Sequence, residues 1–302
     1  MMDHPGTVSV GAAEPDDQLC LSVTSIISAA NGGSSDGLVW WARRGAATIA
    51  VNRRDVWAGM TPGEASDWIA RRHEANAKVN RDNGSTVHDA LEQWALTGTR
   101  PAGSDLRMVG DADPKMVGLM LDQADAWLQQ AQPDYLAAEL TVYSPTRGYA
   151  GTLDAIARVA GVPFLIDYKT HYDSWDRDGR PRRPYPEQVA LQLVAYQRAE
   201  WAALFRARRV ERSFYPRYYA LSAAERDQSI AVPPVEAGLC VYITPEHCHA
   251  YPVLLDDRAW RAFLHAIDVY RWLKHDSKSV MGQPLDLGGD GHAHHRATAA
   301  PA

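Results

Sequence analysis

The chain of 302 residues is 46% hydrophobic with a formal net charge of −6, enough apolar material for a full core and too acidic for polyanion binding driven by net charge. Any nucleic-acid contact must come from a local basic patch or from bridging metal ions. No run of 18 or more apolar residues occurs and residues 1–18 lack a basic start followed by an apolar core, so neither a membrane span nor a secretory signal is expected, and the cytoplasm is the expected compartment.

From the N-terminus, residues 1–18 are rich in Gly, Ala, Pro and Asp and read as a disordered tail. The stretch "SVTSIISAA" (22–30) predicts an apolar helix. "GLVWWARRGAATIAVN" (37–52) continues with Leu38, Trp41, Ala42 and Ala46 near helical spacing, giving a helical N-terminal layer. A helix is expected after Pro62, a second, capped by Ser85 or Thr86, ends at Gly98, and residues 113–132 supply another. The period changes at residue 138, where 138–144, 149–159 and 162–170 read as three short strands separated by turns. A long helix is expected over 185–209, then a hairpin from 237–244 and 248–255, then a closing helix over 256–275. Residues 279–302 drift into low complexity, and their His292, His294 and His295 are read as incidental. One domain over 19–278 follows, of mixed α/β class with a central mixed sheet flanked by helices.

The strand "VPFLIDYKT" is interrupted by Asp167 and Lys169. With Ala160 and Gly161 as a two-residue turn, the register sets Asp154 across from Asp167 on a non-hydrogen-bonded pair, where Cα atoms approach to about 4.5 Å. Thr152 and Lys169 form the next pair on that face. Like charges directly opposite are destabilising, so the pair needs a shared proton, solvent or a cation. Two aspartates offer hard oxygen ligands suited to Mg²⁺ or Mn²⁺, and Lys169 beside them can position a water or offset charge on a phosphate. An exposed hairpin face with Lys169 bridging two aspartates accounts for the same pattern.

These residues belong to a longer ordered set. His88 in "GSTVHDALE", Glu139 in "AAELTVY", Gly151 and Asp154 in "GTLD", Asp167 and Lys169 in "DYK", and Gln192 with Tyr196 in "QLVAY" follow one another along the chain. That series resembles the motifs of the PD-(D/E)XK nuclease superfamily, specifically its RecB-like, bacteriophage-type exonuclease branch, over residues 84–200. The resemblance implies a restriction-endonuclease-like core and a metal-dependent DNA exonuclease, hydrolysing phosphodiester bonds from DNA ends in phage-type recombination and repair. It further implies that Asp154 and Asp167 hold Mg²⁺, with Mn²⁺ able to substitute, and that His88 and Glu139 assist at that ion or a second one. Asp154, Asp167, Lys169, Gln192 and Tyr196 become the catalytic set, and Gly151 allows close backbone approach. Relatives that carry an iron–sulfur cluster use four cysteines. The three here, Cys20, Cys240 and Cys248, include no C-x-x-C pair and cannot assemble one, so no cluster is expected. No Walker A pattern is present, so no motor is expected.

Between Lys169 and the following helix, Arg177, Arg180, Arg182 and Arg183 crowd beside Tyr172, Trp175 and Tyr185, a mixture suited to single-stranded nucleic acid. Trp175 and the four arginines are therefore candidate DNA contacts, although Asp173, Asp176 and Asp178 also allow a solvated loop of nearly cancelled charge. A second basic run, Arg206, Arg208, Arg209 and Arg212, is explained by the dipole of the expected helix end. By resemblance the partners are DNA, as duplex ends or single strands, and a single-strand annealing protein. No motif specifies an oligomeric state, and a homo-oligomer is compatible. A structure-specific or restriction-like endonuclease and a noncatalytic DNA-binding module are the alternatives.

Overall fold

The computed structural model describes residues 18–30, 35–101, 103–203, 208–211 and 217–283. His292, His294, His295, Arg206 and Arg212 lie outside the described residues. The chain enters as β1 (Gln18–Ser22), a strand that sequence periodicity did not reveal, and passes into α1 (Val23–Ala30), which buries Val23, Ile26 and Ile27 at helical spacing. Helix α2 (Ser35–Asn52) and the single turn α3 (Arg54–Trp57) follow.

Next comes α4 (Pro62–Thr97), one continuous helix of 36 residues where two were expected. It opens on a capping box between Thr61 and Glu64 and closes on Gly98 at φ 69, a left-handed C-cap that glycine adopts without strain. The polar residues that suggested a break are used in tertiary contacts. Buried Asn83 accepts a hydrogen bond from the Asp113 backbone N–H at 2.6 Å, and Thr86 Oγ1 accepts one from Val109 N–H at 3.0 Å. Glycine within a helix costs about 1 kcal/mol relative to alanine, but a Cβ on Gly84 would stand 2.8 Å from Thr170 Oγ1.

After α5 (Pro114–Ala131), capped by Asp113, the chain forms the antiparallel meander β2 (Asp134–Ser144), β3 (Tyr149–Val159) and β4 (Val162–Thr170). The turn between β3 and β4 has Ala160 at φ 50 and Gly161 at φ 84, the doubly left-handed backbone of a type I′ hairpin turn. The expected register holds from Val159↔Val162 to Ala155↔Ile166.

Helix α6 (Pro186–Gln197) is shorter than the helix expected over 185–209. Trp201 and Ala202 are claimed by the sheet as β5 (Trp201–Ala203), pairing with Tyr143 and Val142, and the Glu200 carboxylate accepts hydrogen bonds from Ser144 and Thr146. Arg208 and Arg209 lie in β6 (Arg208–Glu211), so no helix end explains them. The remainder is β7 (Arg217–Leu221), α7 (Ala223–Asp227), β8 (Ile230–Ala231), β9 (Ala237–Ile243), β10 (Cys248–Val253) and α8 (Asp257–Lys274).

The sheet is mixed, ordered β10-β9-β4-β3-β1-β7-β6, with β2 branching from β3, β5 pairing with β2 and β8 with β5. Pairs β4–β9 and β1–β3 are parallel. One face carries α1, α6 and α8 over a core that includes Ile26, Leu153, Leu193 and Phe263; the other carries α4 and α5 over Val87, Met120, Ile166 and Val241. This is the mixed α/β architecture expected, with a central sheet between helical layers. No helix among the described residues is long and apolar enough to cross a membrane.

Candidate active site

The site forms where the sheet divides. Past Ala155 and Ile166, β4 leaves β3 and continues along β9, with Asp167 beside Cys240 and Lys169 beside Tyr242. β1 takes the edge of β3 farther on, at Tyr149 and Ala150. The expected Asp154 to Asp167 and Thr152 to Lys169 pairs are therefore not made in the ladder; Thr152 pairs with Thr141 in β2. At the division the Asp154 carboxylate replaces the missing ladder, its Oδ2 accepting from Tyr168 N–H at 2.7 Å.

The strands also lose their strict alternation here. On β3, Tyr149 and Leu153 join the same core cluster as Ile156, and on β2, Ala137 packs against that cluster together with Leu140 and Val142. An odd and an even series cannot share one face of an uninterrupted strand, so both strands change phase, at Asp154 and at Glu139. Glu139 has φ 49, a left-handed backbone in mid-strand, a conformation that costs a residue with a Cβ about 1 kcal/mol or more. Ala138↔Ala155 and Leu140↔Leu153 flank it, which sets Glu139 opposite Asp154.

Groups from both helical layers reach this opening. His88 of α4 places Nδ1 3.7 Å from Asp154 Oδ2 and meets the Tyr168 ring edge-on. From α6, Gln192 donates through Nε2 to Asp167 Oδ1 at 2.9 Å and accepts from Lys169 Nζ at 3.1 Å through Oε1. Lys169 Nζ also donates to Asp167 Oδ1, at 2.7 Å. The Gln192 amide lies 3.3 Å from the Tyr196 hydroxyl one turn on. Gly151 has its steric reason in that tyrosine: a Cβ there would collide with the Tyr196 ring.

Burial and charge act together. Burial first, then the Asp167 charge, push the Asp154 carboxyl well above the usual aspartate range. Burial opposes charge on Lys169, but Asp167 and Asp154 overcome it and hold the ammonium above the ordinary lysine value. Burial and then the Lys169 charge keep the His88 imidazole below its ordinary value. Asp167 is 1% exposed; Lys169 and Gln192 occupy its Oδ1, while its Oδ2 is buried without a hydrogen-bond partner. Among the described residues no group of three His, Cys, Asp or Glu stands as a ready metal cage. The three cysteines are separate from this chemistry: burial raises the Cys20, Cys240 and Cys248 thiols to about 12.

Of the sequence candidates, His88, Glu139, Asp154, Asp167, Lys169, Gln192 and Tyr196 converge on this opening. The segment after β4 folds back on itself through an isolated bridge between Trp175 and Pro181. It turns Trp175, Arg177 and Arg182 toward a cleft against α2 and α4. Arg180 and Arg183 are not among the cleft residues: Arg180 is exposed and pairs with Asp178 at 3.5 Å, and Arg183 lies over the Tyr251 ring. Sequence reading missed the role of Tyr168, whose backbone N–H anchors Asp154. It had no signal beyond adjacency to Asp167.

No family model and no curated protein matches the chain. Among solved structures, the crystal structure of SSO0001 is similar at a TM-score of 0.27 and 16% identity, over 52% of this chain. The chain spans 58% of that protein's length.

Proposed function

We propose that the protein is a metal-dependent DNA nuclease, and specifically an exonuclease that hydrolyses phosphodiester bonds from DNA ends. The observation that supports it most is Asp167, with one carboxylate oxygen held by Lys169 and Gln192 and the other buried and unpartnered. Leaving a buried charged oxygen unsatisfied costs about 1–3 kcal/mol or more, and a hard divalent cation meets that need with the oxygen donors at hand. Asp154 and Asp167 would hold Mg²⁺ or Mn²⁺, with His88 and Glu139 at its margin.

Such an ion, when bound, supplies Lewis-acid stabilisation of phosphate charge and lowers the pKa of a coordinated water. The chain's own groups do the rest. Asp167 and Gln192 fix the Lys169 ammonium, which stays charged and aimed at the place where a phosphate gains negative charge in the transition state. Tyr196 supports the Gln192 amide. His88, kept neutral by burial, can donate or accept at the same opening. End-directed action and a single-strand annealing partner follow from the resemblance in "GTLD", "DYK" and "QLVAY".

End-labelled linear duplex and covalently closed circular DNA, each incubated with Mg²⁺, Mn²⁺ or chelator, provide the test, alongside Asp167→Ala and Lys169→Ala. Loss of linear DNA alone, dependent on metal and on both residues, supports the exonuclease. Nicking of the circle moves the assignment to an endonuclease, and binding without cleavage leaves a noncatalytic DNA-binding module.

A further inference from the structure

We infer that the cleft between α2, α4 and residues 171–182 is the channel by which a single DNA strand reaches the divided sheet. This inference rests on the nuclease reading and gives it a substrate form. The cleft is open on one side and has a volume of about 850 Å³, within the range of about 300–1,000 Å³ typical of ligand sites.

Its lining is selective in charge. Arg44 of α2, Arg72 of α4, and Arg177 and Arg182 of the returning segment face it, against Asp173 and Asp176. Four positive groups to two negative ones give the cleft a local sign opposite to the chain's net charge of −6. Asp173 is already engaged by Arg182 at 3.5 Å, and Asp176 Oδ1 accepts from the backbone N–H groups of Asp178 and Arg180. Arg182 Nε is buried without a hydrogen-bond partner.

Stacking surfaces stand in the same wall. Tyr172 is 36% exposed and backed by the His171 ring at 4.9 Å; Trp175 is 46% exposed and anchored through its Nε1 to Glu246. Bases present free π-faces to such side chains only when unpaired. Helix α4 links the cleft to the site. On α4, His88, Gly84, Asn80, Ala77 and His73 recur every three or four residues and so share one stripe, about 22 Å long at 1.5 Å per residue. Gly84 touches the end of β4 at Thr170, while Asn80, Ala77 and His73 line the cleft.

Arg44→Ala/Arg72→Ala tests this, both residues being exposed and outside the proposed catalytic set. Anisotropy of a labelled short oligothymidylate and of a matched duplex is measured in chelator against KCl. Hydrolysis of thymidine 5′-p-nitrophenyl phosphate with Mg²⁺ is measured in parallel. Single-strand affinity should fall at least about 10-fold, and the salt slope should shrink by about 1.4, from about 0.7 per lost phosphate contact. Arg44→Lys/Arg72→Lys should keep most of the affinity, and ester hydrolysis should be unchanged. Unaltered single-strand binding in the alanine variant, or an equal loss for duplex, overturns the inference. If the wild type leaves both the ester and linear DNA intact, the nuclease reading fails, while cleft-dependent binding of the single strand still supports the channel.

Discussion

The two ends of the β3–β4 hairpin differ in what governs them. At the closed end, local rules suffice: a two-residue turn with both residues left-handed, and an unbroken register from Val159↔Val162 to Ala155↔Ile166. At the open end those rules fail together. The strands part, Asp154 takes over a backbone hydrogen bond, Glu139 adopts a left-handed backbone, and a buried carboxylate oxygen lacks a partner. Departures from local consistency gather at functional sites, since strain there is retained only where something else depends on it. On the nuclease reading proposed above, the open end is the working end.

If so, substitutions of site groups at the open end should cost activity, and substitutions at the closed end should leave it unchanged. The largest effect is expected from Lys169→Ala and Asp167→Asn, each lowering metal-dependent cleavage by at least about 100-fold. Asp167→Asn should also lower the Tm in chelator, because the buried Lys169 ammonium loses its charged partner. Gly151→Ala should destabilise by about 1–3 kcal/mol in denaturant titrations, since its methyl group meets the Tyr196 ring. Glu139→Gly should relieve about 1 kcal/mol of backbone strain and still cleave more slowly, which stability curves and initial rates would separate. Ala160→Asn completes the favoured Asn-Gly turn and should stabilise by a few tenths of a kcal/mol, with cleavage unchanged.

Protonation offers a finer probe of the open end. The folded-state pKa of Asp154 is raised above its reference value of 3.8, so without metal the folded state binds this proton more tightly than the unfolded chain. Its ionisation therefore destabilises the fold as pH rises above that value. Asp154→Asn should raise the Tm in chelator at neutral pH, by an amount that shrinks as pH falls toward 4. Saturating Mn²⁺ should reverse the comparison, because a bound cation favours the ionised carboxylate.

How much was legible follows the same division. Strands 149–159 and 162–170, their turn and the register as far as Ala155↔Ile166 came from alternation and a turn signal, both local. The convergence of His88 from one layer with Gln192 from the other was reached only through the order of motifs, since no single-helix pattern relates residues on opposite faces of a sheet. Misread elements have tertiary causes. Asn83 and Thr86 looked like a helix boundary because their polar groups favour caps, yet here they bond to Asp113 and Val109. Residues 201–203 had helical composition, but an open edge of β2 recruited them. Glu139 was named for its charge, while the backbone reversal that aims it left no mark in the sequence, as glutamate is not a residue that favours positive φ.

The central claim is that the open end holds a divalent cation between Asp154 and Asp167. Calorimetric titration of the chelator-stripped protein with Mn²⁺, repeated on Asp154→Asn and Asp167→Asn, tests it without reference to any substrate. Saturable uptake by the wild type that both variants lose is the predicted result. No uptake by the wild type, or uptake that survives in both variants, would contradict the claim.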